Sequence, residues 1–274
     1  MKVAIINIGA NRESQSRFGL ISPLFEEDGS FGYVPVEERG YDADPSCPKL
    51  PTYGELFSNN PEVLRLIPKS SRNRRAHDAP EFESFTYGDY PNRIVPAKGV
   101  PKAIGRAGNL KRLEEGDLLL FLARLTKVGQ SRAPTEAGFY LIGFFEISVI
   151  RKDVKAKPTE SELQIFGNNA HIRRGLADHS RFDNFWVFKG SDESRLFLHP
   201  VPFDRELVSK TLRNKERGVL IWPPRFTDLQ RIGSYTRSCK LIDDNVRWKM
   251  LLERILELNE IPLFRRLLVL NPLP

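Results

Sequence analysis

The chain has 274 residues, 40% hydrophobic and 28% charged, which suits one large domain or two small ones and argues against a disordered chain. No apolar run approaches the roughly 18 residues of a membrane span, and residues 1–11 (MKVAIINIGAN) read as a first strand, not a signal peptide, so a cytoplasmic protein without a membrane partner is expected. A net charge of +7 favours polyanionic partners, and two distant cysteines, Cys47 and Cys239, argue against a disulfide scaffold or a zinc ribbon.

Residues 2–8 form a buried strand that ends at Gly9-Ala10-Asn11-Arg12. Backbone N–H groups and the Asn7 and Asn11 amides there can cradle an anion. The G-x-G-x-x-G spacing is absent, which disfavours a dinucleotide fold and leaves a plain turn as the alternative. Asp28-Gly29 between apolar flanks signals a hairpin, with Phe31 and Tyr33 to one side. Residues 37–75 read as loop, broken by Pro45, Pro48, Pro51, Pro61 and Pro68, with one short helix near 53–57. The basic run Lys69-Ser70-Ser71-Arg72-Asn73-Arg74-Arg75 reads as a solvated loop or as an arm that tracks phosphates.

Residues 77–89 (HDAPEFESFTYGD) concentrate titratable and aromatic groups. A carboxylate near a histidine can orient a general base, and His with Asp and Glu can hold a divalent metal. Only one histidine is local and no ligand spacing is present, so no metal site is expected. The alternative is an edge strand with Phe82 and Phe85 buried. Residues 91–108 are punctuated by Gly and Pro, and residues 110–113 form one helical turn.

Residues 109–150 organise the rest. Two apolar runs, each short for a helix and without clean alternation, flank a polar loop containing Lys127, Gly129, Ser131 and Pro134. They read as strands buried on both faces, an antiparallel pair entered at Gly116-Asp117. A symmetric loop sets Arg124 near Phe139 and Tyr140, and Glu146 near Asp117 and Leu118. Each charge then sits at the rim of an apolar sheet, where it needs a partner, water or a ligand.

Thr159 and Glu162 carry a capping-box pattern. Gly167-Asn168-Asn169-Ala170-His171-Ile172-Arg173-Arg174 then gathers two amides, an imidazole and two guanidiniums. Asn reads donor and acceptor edges of a base, and Arg binds phosphate with two parallel hydrogen bonds. The alternative is a polar turn with His171 capping a carbonyl. Residues 185–197 read as strand, turn, strand. The turn Lys189-Gly190-Ser191, with Arg195 close by, is either a phosphate nest or a simple hairpin turn, and the P-loop spacing is missing. Asp204 and Thr227 each cap a short helix. Asp243 or Asp244 begins the strongest one, whose Trp248, Leu251, Leu252, Ile255 and Leu258 share one apolar face that packs onto the sheet. Residues 259–262 end it.

Gly116-Asp117 and Ile142-Gly143-Phe144-Phe145-Glu146 together resemble the strand pair of PUA-like modules, including the EVE and ASCH types. A wider set appears in order: INIGAN (6–11), SPLFEEDGSF (22–31), HDAPEFESFTYGD (77–89), NLKRLEEGD (109–117), GNNAHIRR (167–174) and FKGSDESR (188–195). This set resembles the third family of nucleotide-modification-associated domains, with a weaker likeness past residue 218. The resemblance implies an α+β domain in the setting of DNA-base modification in phages and prokaryotes, and supplies no reaction.

The expected fold is α+β, a curved, mostly antiparallel sheet or PUA-like barrel with peripheral helices and a long C-terminal helix. A core over residues 1–218 would carry a helical part, 219–274, packed on it. One reading is an enzyme of base modification. In it Asp78, Glu81, Tyr87 and Asp89 meet Asn11, Asn168, Asn169, His171 and Arg173 in one cleft, with His171 as general acid or base. Arg173, Arg174, Lys189, Ser191 and Arg195 hold phosphate, and Arg124 lines the cleft. A second reading is a non-catalytic reader of flipped or modified bases, using the same amides with Tyr87 and Trp186. A third is an interaction protein whose polar motifs are turns. The partner is DNA, RNA or a nucleotide, and the sequence names no cofactor.

Overall fold

The computed structural model describes residues 1–8, 20–38, 50–91, 93–97, 100–104, 107–130, 134–212, 222 and 225–270. Asn11 with its turn, Cys47 and Ser131 lie outside the described residues. The chain runs β1 (Val3–Ile8), β2 (Pro23–Phe25), β3 (Val36–Glu37), α1 (Tyr53–Leu56), α2 (Pro61–Leu66), β4 (Ala76–His77), β5 (Thr86–Asp89), β6 (Arg93–Ala97) and β7 (Val100–Ile104). It continues with β8 (Leu118–Val128), β9 (Pro134–Val154), α3 (Glu160–Phe166), α4 (Ala170–Ala177), β10 (Phe185–Gly190) and β11 (Arg195–Pro202). It closes with α5 (Arg205–Thr211), α6 (Asp228–Tyr235), β12 (Lys240–Ile242), α7 (Asn245–Leu256) and α8 (Pro262–Leu270).

The central apolar pair is β8 and β9, and the other strands assemble on it. The eight-stranded sheet has the order β12-β1-β8-β9-β10-β5, with β11 also on β9 and β2 also on β8. The pairs of β8 with β1 and β2 are parallel and the remainder antiparallel. The register sets Arg124 opposite Phe139 and Leu118 opposite Glu146, close to the expected placement, with a one-residue bulge between Phe121 and Leu122. The missing alternation in β8 has a simple cause. Leu118, Leu120 and Leu122 face one core while Leu119, Phe121 and Ala123 face another, and all six are buried.

The first core is covered by Leu207 and Val208 of α5, Trp248, Leu251, Leu252 and Ile255 of α7, and Phe264 of α8. Burying each such large side chain contributes about 1.5–3 kcal/mol, which fixes the C-terminal helices on the sheet. Asp244 caps α7 through the Val246 and Arg247 N–H groups. The helix ends at Leu256, so Leu258 falls past it and is 39% exposed, outside the expected apolar face. Pro262, read as a terminator, instead opens α8, where its missing N–H costs nothing.

The second core fills the concave side. Tyr87 of β5 packs 5.5 Å from Phe121 of β8, although β9 and β10 separate the two strands in the sheet. The sheet is therefore strongly curled. The path of ladders still ends at β12 and β5, so among the described residues the sheet is open and curved and forms no closed PUA-like barrel. Asp117 pins the start of β8 to β1, accepting from the Lys2 N–H at 2.7 Å and the Glu114 N–H at 3.0 Å.

Two satellite cores hang on the sheet. Residues 50–76 are more structured than their prolines suggest. Asn60 caps α2 with Pro61 in its first turn, and Tyr53, Phe57, Val63 and Ile67 bury together. The basic run fastens this unit. Arg72 donates to the Leu64 and Ile67 carbonyls, Arg74 pairs with Glu37 at 2.7 Å, and Arg75 donates to the Leu50 carbonyl. These arginines therefore act within their own loop and do not project as a phosphate-tracking arm. Within the stretch punctuated by Gly and Pro, β6 pairs with β7 as an antiparallel ribbon. The second satellite joins α3 and α4 to β10 through Phe166, Ile172, Phe182 and Phe185.

Candidate functional site

A cleft of about 960 Å³ opens past the end of β1, beside Arg124 within β8, walled by β5, α4 and the residues around α6. Its titratable lining includes Glu37, Glu38, His77, Asp89, Arg124, His171, Arg174 and Arg237.

The short β3–β4 ribbon, in which Val36 pairs with His77, brings Glu38 beside the histidine. Glu38 Oε2 lies 2.7 Å from His77 Nδ1, and Oε1 lies 3.2 Å from Arg174 Nε. Arg181 adds a longer contact at 3.8 Å. Burial pushes the Glu38 carboxyl pKa up, but the His77 hydrogen bond and charge, followed by Arg174 and Arg181, outweigh it, and the group ends below its ordinary value. Glu38 is therefore an anion at neutral pH and a pure acceptor. A neutral His77 must then carry its proton on Nδ1, which leaves the lone pair on Nε2.

His171 enters from the first turn of α4. Asn169 caps that helix by accepting from the His171 N–H at 3.0 Å. The imidazole packs edge-on to His77 at 4.8 Å and to Tyr90 at 5.1 Å, and lies 5.3 Å from Phe185. Gly88 of β5 makes this approach possible, since a Cβ there would stand 2.5 Å from His171 Cδ2. Asp89 is tied down, accepting from the Tyr87 hydroxyl and the Tyr90 N–H, each at 2.7 Å. Burial and then Asp89 raise the Tyr87 pKa well above its usual range, so Tyr87 stays a protonated donor.

Of the residues expected to share one cleft, His171, Asp89, Tyr87, Arg124 and Arg174 line it. The other described ones sit elsewhere. Glu81 accepts from the Glu83 N–H at 2.6 Å and the Ser84 N–H at 2.9 Å, and from the Ser84 hydroxyl, holding the turn before β5. Asn168 accepts from Arg173 at 2.8 Å, and Asn169 is wholly buried as the α4 cap. Lys189 donates to the Ser84 carbonyl, Ser191 to Glu146 Oε2 at 2.6 Å, and Arg195 to the Glu193 carbonyl at 3.1 Å. In the Lys189-Gly190-Ser191 turn the Gly190 and Ser191 N–H groups donate to the Phe85 and Glu146 carbonyls. This cluster lies by Glu146, at the Leu118 end of the β8–β9 ladder and six residues along β8 from Arg124.

Asp78 lies outside the lining. Burial, reinforced by Glu81 and partly opposed by Arg173, raises its pKa to about 7. The native state thus holds a proton that the unfolded chain releases near pH 4. Any stability linked to Asp78 is complete below about pH 4 and lost as pH rises through 7. Asp78→Asn should flatten that slope, adding on the order of 2 kcal/mol at pH 8 after allowance for partial exposure. Urea denaturation at pH 5 and pH 8 reads it directly, and an unchanged slope would clear Asp78 of the effect.

Glu38 and Arg237 were not legible as site residues, and His77 was noted only as part of its stretch. Glu38 and His77 are 39 positions apart, so no local pattern joins them. Among the described residues no group of three or more His, Cys, Asp or Glu side chains is placed to hold a metal ion. Among the same residues no helix is long and apolar enough to cross a membrane. No curated protein matches the chain, and no solved structure does. Residues 2–218 match the family model of nucleotide modification associated domain 3, and with well over half its length matched the chain belongs to that family.

Proposed function

We propose that the cleft binds a nucleotide, free or within a strand, and acts on its base by acid–base chemistry. The observation that carries this reading is the buried Glu38 carboxylate on Nδ1 of a cleft imidazole, with His171 beside it. A carboxylate in that position fixes the ring and its tautomer and stabilises the imidazolium formed when Nε2 takes a proton. His77 is then the general base, Glu38 its positioning residue, and His171 the second imidazole that returns or relays a proton. Tyr33, Tyr90 and Phe226 give the lining aromatic surface against which a base can stack. The cleft volume falls in the range of small-ligand sites. Membership of a nucleotide-modification family supports the substrate class.

The test pairs binding with product mass. Wild type, His77→Ala and His171→Ala are incubated with normal and modified mononucleotides and with short single- and double-stranded DNA and RNA, at two salt concentrations. The reading predicts a product of new mass, formed about 10²- to 10⁴-fold more slowly by His77→Ala. Binding without any product would favour a non-catalytic reader of bases. Absence of binding throughout would overturn both and leave an interaction protein.

A further inference from the structure

The acids in the cleft lining are already committed to the protein. Glu37 pairs with Arg74, Glu38 with His77 and Arg174, and Asp89 with Tyr87 and Tyr90. Arg174 is neutralised by Glu38 in the same way. Arg237 differs. It lies between α6 and β12, exposed in the cleft lining, and no carboxylate pairs with it among the described residues. An exposed arginine needs no partner for stability, so its position points to an anion more than its isolation does.

That position is set by contacts of α6 and the residue after it with the sheet. Asn7, at the end of β1, donates through Nδ2 to Thr236 Oγ1 at 2.7 Å, and Thr236 Oγ1 donates to the Ile232 carbonyl at 2.7 Å. The Thr236 hydroxyl hydrogen is thus engaged, so the oxygen must accept, which fixes the Asn7 amide. Phe139, opposite Arg124 in the sheet, abuts Gly233 of α6, where a Cβ would meet its ring at 3.0 Å. Two independent contacts therefore dock the end of α6 on β1 and on the stretch of β9 opposite Arg124. Arg237, next to Thr236, shares that wall of the cleft, with Ser234 on the same wall.

We propose that Arg237 and Arg124 form a phosphate subsite, taking the phosphate of the bound nucleotide while its base lies toward His77 and His171. This rests on the nucleotide reading of the cleft. Guanidinium groups match phosphate oxygens in charge and in planar donor geometry, and two of them suit a phosphate dianion. The family match ends at residue 218, so half of this subsite comes from the chain beyond the matched stretch.

The experiment measures Kd for deoxynucleosides, their 5′-monophosphates and short single-stranded DNA, with wild type, Arg237→Ala and Arg237→Lys. Thermal melts check that these surface variants fold. The monophosphate should bind more tightly than the nucleoside. Arg237→Ala should weaken the monophosphate about 10- to 100-fold and leave the nucleoside unchanged, with Arg237→Lys between the two. Loss confined to the monophosphate assigns a terminal phosphate, and a matching loss for DNA assigns a phosphodiester. Equal affinity for nucleoside and monophosphate, or an unaffected Arg237→Ala, would overturn the subsite while leaving the nucleotide reading intact. No binding by any of them would overturn that reading and the subsite with it.

Discussion

Glu38→Ala should destabilise the protein by about 2–4 kcal/mol and abolish base-directed chemistry in the cleft. Glu38 is buried and joins three cationic or ionisable side chains, His77, Arg174 and Arg181, from β4, from α4 and from the turn after it. Deleting one member of a buried pair leaves the remaining charges without compensation, which costs more than the pair itself contributes. Arg174 and Arg181 keep some solvent contact, which holds the loss toward the lower end of that range. Glu38→Gln separates packing from charge. It keeps volume and one acceptor oxygen, so the urea midpoint should fall less, but it no longer stabilises an imidazolium. Turnover should then fall about 10²-fold or more in a folded protein, because no carboxylate faces His77 Nδ1. Unchanged turnover would confine Glu38 to a structural role. The carboxyl also sets an acid limit. Its native pKa lies below the unfolded value, so its contribution is present above about pH 4.3 and lost as pH falls through the native value.

Gly88→Ala is the second large effect. The new Cβ would stand 2.5 Å from His171 Cδ2 and 2.8 Å from Asn169 Oδ1. Neither neighbour is a flexible tip. Asn169 is fully buried and caps α4, and the His171 ring is held among His77, Tyr90 and Phe185. The methyl group can fit only if α4 moves off β5. Overpacking of this kind costs about 1–3 kcal/mol, and here it also draws His171 away from His77. Loss of turnover together with a lowered urea midpoint is the expected result. Full activity at wild-type stability would show that the helix yields freely.

Features set by local chemistry were legible in the sequence. The capping boxes at Thr159 and Thr227, the caps at Asp204 and Asp244, and the doubly buried β8 all follow from residues close together in the chain. The approximate register of β8 on β9 followed from loop symmetry, while the two bulges in that ladder had no local signal. What failed to show depended on distance. Asn168-Asn169 suits a turn as well as a cap, and only the packing of Ile172 on Phe185 makes it the start of α4. Lys189 and Ser191 looked like a phosphate nest because their acceptors, Ser84 and Glu146, are 105 and 45 positions away. The curl of the sheet, which puts Tyr87 against Phe121, likewise has no local signature.

The length of β9 has a mechanical consequence. Its 21 residues pair with β8, β10 and β11 in turn, and its side chains enter both cores, Phe144 on one face and Phe145 on the other. Neither core can come apart without breaking hydrogen bonds that the other shares. The C-terminal helices and the curled side of the sheet are thereby coupled into one cooperative unit. Unfolding by urea should accordingly expose both cores in one transition.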